Sequence, residues 1–288
     1  MNSVPVSTLL TIHQGQNNGR FLSPRLWSNV SGQDIAPDGY SNGRSFGDNF
    51  LNFGALQPSA GGTASYNAHG GYGAYVDTAT DAGSIVQRAD DYGGLRLSTG
   101  AVDNHETWLS SGGNVGALGR ISDAAGEQKM LIFEISIAVG QIADNGGAMF
   151  AGLAAPGAAA ANAKADNTGV MGAGAYIGFD TVHADGDKVS FVYKAAGESA
   201  VTLIDSVAAL TASTQMKLGF IFAPRRKASE RIRIFVDNIE QATKVNESAI
   251  ATATFPNAEW MSMLAGLKNG SASASTLDVH WWEFFQEG

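Results

Sequence analysis

Cysteine is missing from this chain altogether, which removes disulfides, thiol nucleophiles and thiolate metal ligands together. Charge is scarce too: Asp, Glu, Lys and Arg make up 16% of the residues, with 18 basic side chains against 27 acidic ones. A net charge of −9 argues against nucleic acid as a partner, because neutralising phosphates needs clustered Lys and Arg. No apolar run approaches the ~20 residues of a membrane-spanning helix, so no membrane role is expected. No basic start followed by an apolar core opens the sequence, so an ordinary secretory route is not expected either. Prolines number only seven and no Gly-X-Y period occurs, which excludes a collagen-like chain.

Glycine is abundant, at 36 of 288 residues, and it falls between short apolar runs as turn punctuation. From about Gly70 onward these runs have the two-residue period of half-buried strands. Leu131–Val139 puts Leu131, Phe133, Ile135, Ile137 and Val139 on one face. Short runs at Leu95–Ser98, Glu106–Ser110, Met149–Leu153, Tyr176–Phe179, Val189–Lys194, Val201–Ile204, Met216–Phe222, Arg231–Val236 and Met261–Leu267 behave similarly. Asp185-Gly186, Asp237-Asn238 and Asn269-Gly270 are dipeptides suited to tight hairpins. Ala154–Ala165 fits either a short helix or a loop of small residues.

The chain ends on its most aromatic segment, Leu277–Gly288. Leu277, Val279, Trp281 and Phe285 share one parity, and Asp278, His280, Trp282, Phe284 and Gln286 the other. A terminus this apolar must be pinned in a sheet, so the last strand is expected to be a central member with partners far back in the chain. Many short strands with turn chemistry between them predict an all-β, antiparallel two-sheet jelly roll over residues 61–288. Residues 1–60 mix scattered anchors such as Phe21, Leu22, Leu26 and Trp27 with Gly, Asn, Ser and Pro, which reads as an extended irregular N-terminal arm.

The order of several segments resembles a known group of proteins. These are Gly93–Trp108, Phe133–Ile137, Asp187–Phe191, Lys217–Phe220, Ile234–Asn238 and Leu277–Trp281. Together they resemble the concanavalin-like, laminin-G-like jelly-roll structural proteins of tailed bacteriophages, over roughly Gly70 to Gln286. The resemblance implies a virion component assembled in the host cytoplasm and displayed on the capsid surface. It implies an auxiliary protein that decorates or cements the shell, with the major capsid protein as partner and a trimer or dimer of itself as the assembly. Lectins among the wider relatives leave open a glycan-binding virion module for surface attachment, and a head-fibre or appendage component is a third reading. The resemblance carries no site residues with it.

Read for chemistry, the residues point away from catalysis. A glycosidase needs two carboxylates facing one cleft. On one strand that means acids at alternate positions, yet Glu134 is followed on its face by Ser136 and Ala138, and Asp278 and Glu283 lie five apart. The acidic stretch Asp180–Asp187 could offer oxygens to Ca²⁺, but its spacing matches no EF-hand and reads as a hairpin turn. The five histidines stand singly, which supports no metal site, and no cofactor is expected. The contact candidates are the one basic concentration, Arg225, Arg226, Lys227, Arg231 and Arg233, and the aromatic pair Trp282 and Phe284. Arg231 and Arg233 are expected on one strand face. Trp282 and Phe284 are expected on a face that either meets a partner or is covered by the N-terminal arm.

Overall fold

A computed structural model describes residues 22–23, 25–28, 43–48, 50, 64–68, 72–77, 83–88, 93–112, 116–124, 126–160, 162–172 and 174–288. Two antiparallel sheets stack face to face. One holds eight strands: β1 (Gly43–Asp48), β4 (Ser84–Gln87), β5 (Leu95–Ser98), β8 (Leu131–Val139), β13 (Met216–Phe222), β14 (Ile232–Val236), β15 (Ile239–Glu240) and β17 (Thr276–Glu287). The other holds nine: β2 (Ala64–Ala68), β3 (Tyr72–Val76), β6 (Glu106–Ser111), β7 (Gly119–Ile121), β9 (Gly147–Ala154), β10 (Tyr176–Val182), β11 (Asp185–Lys194), β12 (Val201–Ala209) and β16 (Glu259–Asn269). Among the described residues helix is confined to single turns, such as α1 (Glu247–Ile250), whose N-terminus Asn246 caps.

The terminal strand is central, as its composition requires: β17 lies between β8 and β5 and also pairs with β1. The main core fills the space between the sheets, with the alternate residues of β8 expected from the sequence on one side. Met149, Ile177, Phe191, Met263 and Leu267 face them from the nine-stranded sheet. β1 falls within the stretch expected as an arm and is an integral strand. The rest of the expected arm, including Phe21, lies outside the described residues apart from Leu22, Ser23, 25–28 and Phe50.

A β-bulge at His280 changes which aromatics face the core. Val279 sits opposite Ile137, but Trp281 sits opposite Ser136, so one extra residue is accommodated and the alternation slips by one. Upstream of it Leu277 and Val279 point inward; downstream Trp282 and Phe284 do. Trp282 stacks on Tyr72 at 5.9 Å and meets Phe50 edge-on at 5.4 Å. Trp281 and Phe285 face outward and are covered by Leu22, Leu26 and Trp27. The N-terminal segment does cover a face of the last strand, but the face is the one carrying Trp281 and Phe285.

Part of each outer sheet face is roofed. Over the nine-stranded sheet, the segment between β9 and β10 brings Ala159, Ala163 and Met171 onto Trp108, Phe150 and Tyr176. This is the alanine-rich stretch: its described residues form no helix, and its small side chains let the backbone lie close to an aromatic surface. Of the three turn dipeptides, Asp237-Asn238 makes the expected two-residue turn, both residues having positive φ (47° and 70°). The β10–β11 hairpin turns instead at His183-Ala184, two residues earlier than Asp185-Gly186. Asn269 closes β16, and the chain then crosses to the other sheet.

Candidate functional site

The candidate contact residues fare differently. Trp282 and Phe284 are 0% and 1% exposed, so they are core residues and cannot meet a partner in the folded chain. Arg231 precedes β14 and is buried. Its guanidinium donates to Pro224 O, to Arg226 O at 2.7 Å and to Glu247 at 2.7 Å, stapling the β13–β14 loop to α1. Arg233 forks onto Glu240 at 2.8 and 2.5 Å and packs over Phe235. These two arginines are therefore committed internally and do not form one open strand face. Glu240, held by Arg233 and Lys244, is drawn down to about 2. Arg225, Arg226 and Lys227 are exposed in the loop, Arg225 pairing with Glu287.

Sequence spacing along one strand misses the acids that the sheet brings together. Glu134 on β8 lies directly opposite Glu283 on β17, and side chains so placed have Cβ atoms about 4.5–5.5 Å apart. Both are buried. Ser23 donates to Glu134 from its backbone N–H (3.1 Å) and its hydroxyl, and Trp27 from its indole N–H (2.6 Å). Leu26 packs against the bare backbone of Gly219, where a Cβ would come within 2.4 Å of its Cδ1. Burial pushes the Glu134 carboxyl up against the opposing pull of these donors. Only the register of β17 reveals the pair, and the bulge sets that register. On the same outer face Asp278 is tied to Arg88 (2.6 Å) and Arg96 (2.7 Å).

The outer face of the nine-stranded sheet carries a second buried polar network. Lys164 donates to Gly169 O at 2.5 Å, to Thr181 O at 2.9 Å and to Asp180. Lys268 pairs with Asp166 at 2.6 Å and donates to Lys164 O at 2.9 Å. Glu106 accepts from Trp108 Nε1 at 2.9 Å and from the Asn162 amide. Desolvation raises Asp180 to about 6, raises Glu106 and lowers Lys164. Of the acids of 180–187, Asp180 is held by Lys164 and Asp185 and Asp187 are exposed, with Asp180 and Asp185 both lining a neighbouring cavity. Among the described residues no group of three His, Asp or Glu side chains is placed to hold a metal ion.

Beside this network is a cavity of about 150 Å³, lined among others by Tyr176, Lys188, Ser190, Val192, Thr202 and Asp205. Asp205 holds Lys188 at 2.8 Å and Ser190 Oγ at 3.1 Å. At one end of the sandwich Trp260 is 53% exposed, with the Arg120 guanidinium 5.9 Å above its ring. Arg120 is fixed by Ala258 O (2.9 Å) and Glu127 (2.9 Å). Gln286 brackets the Arg120 backbone, and the next residue, Glu287, holds Arg225. Trp260 and the 225–227 loop therefore lie at the same end.

No family model matches this chain, and no curated protein matches it. Among solved structures, peanut lectin with a nine-residue peptide aligns over 85% of this chain and 97% of its own, at 13% identity and a TM-score of 0.51. A protein of unknown function from Shewanella oneidensis MR-1 aligns over 88% and 90%, at 11% identity and 0.49. A Bacteroides ovatus mixed-linkage glucan GH16 enzyme in complex with a product aligns over 83% and 99%, at 13% and 0.47. The class thus defined is the all-β, antiparallel two-sheet jelly roll, a fold shared with peanut lectin. At these identities the likeness concerns the fold alone.

Proposed function

We propose that the chain is a non-enzymatic structural protein of a bacteriophage particle, an auxiliary protein that decorates the capsid and cements neighbouring major-capsid subunits. The observation that carries this reading is the use made of the acids on the two outer sheet faces. Glu134 is spent on Ser23 and Trp27, Asp278 on two arginines, Asp180 on Lys164, and Glu106 on Trp108 and Asn162. Each of these four carboxylates is held by partners within the chain, and the cavity beside β12 reaches one of them, Asp180, together with Asp185 and Asp205. What the molecule offers outward is contact surface: the Arg225–Lys227 loop and Trp260 at one end. The sequence resemblance to phage jelly-roll proteins supplies the setting.

The mechanism is linkage. Surface buried across neighbouring capsid subunits exists only in the assembled shell, so binding favours that shell over its dissociated parts. Exposed cations such as Arg226 and Lys227 would steer docking onto an acidic subunit more than strengthen it. Purified chain added to particles stripped of it should rebind and raise their disruption temperature. Particles that ignore the chain would count against cementing.

A second reading, a glycan-binding module, is favoured by the cavity beside β12. Its Asp205, Lys188, Ser190 and Thr202 offer donors and acceptors around an apolar Val192 floor, the mixture that small-molecule sites combine. A glycan array supports this reading if hits appear that Asp205→Ala abolishes. An array without hits removes it.

A further inference from the structure

We infer that Lys164 and Asp180 are joined by an amide bond formed within the folded chain, an isopeptide staple between Nζ of the one and Cγ of the other. Neither residue has a part in the contact function proposed above. Their side chains are 0% and 5% exposed and in direct contact, the Lys164 amine donating to Asp180. Asp180 pairs across the sheet with Phe150 and shares β10 with Tyr176, while Lys164, in the segment between β9 and β10, bridges to Met171. A lysine and an aspartate buried together usually remain an ion pair, but taking both charges out of water is costly and the attraction repays it poorly. Moving the ammonium proton to the carboxylate cancels both charges, and burial acts in that direction on each partner. The neutral pair is an amine against a carboxylic acid, the two reactants of amide formation.

The fold supplies what the uncatalysed reaction lacks. Groups fixed at contact distance react with effective molarities that reach roughly 10⁵–10⁸ M. Exclusion of water both favours condensation and protects the product. In the step itself the Nζ lone pair attacks Cγ, the C–N bond forms and the C–OH bond of Asp180 breaks. The proton shed by nitrogen leaves with the hydroxyl as water, and nothing is oxidised or reduced. The amide keeps one N–H for Gly169 O or Thr181 O, both of which already accept from Nζ. The staple would tie the roof of the nine-stranded sheet to β10 in a chain that has no cysteine to do so.

The intact mass of the denatured full chain tests this directly. The folded, aged protein should weigh one water less than its sequence, and proteolysis should release a branched peptide joining Lys164 to Asp180. Lys164→Arg, which keeps a cation beside Asp180 but cannot form the amide, and Asp180→Ala should each show their full sequence mass. A wild-type chain at full sequence mass after prolonged incubation in the folded state overturns the inference. A water loss that persists in both variants overturns it as well, since the linkage would then lie elsewhere.

Discussion

Glu134 is the residue on which the N-terminal cover of the eight-stranded sheet turns. Three donors, from Ser23 and Trp27, converge on its carboxylate, and Leu26 lies in the space that Gly219 leaves empty. Glu134→Gln replaces one accepting oxygen by an amide donor, so a buried donor loses its acceptor, at about 1–3 kcal/mol. Gly219→Ala forces Leu26 aside, at about 1–3 kcal/mol. Chemical denaturation measures both, and faster amide exchange at Ser23 would show that the cover has loosened. Titration follows from the same local surroundings. The Glu134 carboxyl is raised by burial, so the folded state holds its proton more tightly, and its contribution to stability is lost as pH rises through the raised value. Glu240 works in the opposite sense. Arg233 and Lys244 draw it from an ordinary 4.5 down to about 2, so its contribution is present above 4.5 and lost as pH falls toward 2. Glu240→Gln should therefore flatten the acid limb of a stability–pH curve, and an unchanged limb would refute the pairing.

At the scale of elements the bulge in β17 decides the packing. It lets Leu277 and Val279, and then Trp282 and Phe284, all reach the main core despite opposite parity. Deleting His280 would remove the extra residue, so regular alternation would run from Val279 straight to Trp281 and leave Trp282 and Phe284 facing the core. A folded product with native-like near-ultraviolet dichroism is expected from that deletion; loss of that signal would contradict the register. Trp282→Ala alone should cost about 3–5 kcal/mol, the usual loss for emptying a large aromatic site. Period-two alternation makes strands such as β8 and β13 legible in the sequence, and the aromatic C-terminus announces a central strand. The bulge is not legible, because nothing in Val279-His280-Trp281 distinguishes it from regular strand. For the same reason the assignment of Trp282 and Phe284 to a contact face fails. The Glu134–Glu283 pairing is hidden too, since it depends on register between strands about 150 residues apart. The roles of Arg231 and Arg233 are likewise invisible from spacing, as their partners Glu247 and Glu240 arrive through the fold.

Over the whole molecule, four layers follow one another: the cover holding Leu26 and Trp27, the eight-stranded sheet, the nine-stranded sheet, and the roof holding Ala159, Ala163 and Met171. Buried acids secure both outer layers, which leaves the ends and edges of the sandwich for dealings with other molecules. Under the proposed function, the end that carries Trp260 and the Arg225–Lys227 loop meets the capsid. Arg226→Glu combined with Lys227→Glu should then slow docking and weaken its response to salt, with stability unaffected because both side chains are exposed. The most direct measurement is rebinding to stripped particles, read as the temperature at which their shells come apart. The account predicts that added chain is taken up in many copies and shifts that temperature upward, and that the double charge reversal reduces uptake. Particles equally robust with and without the chain, and unwilling to take it back, would contradict it.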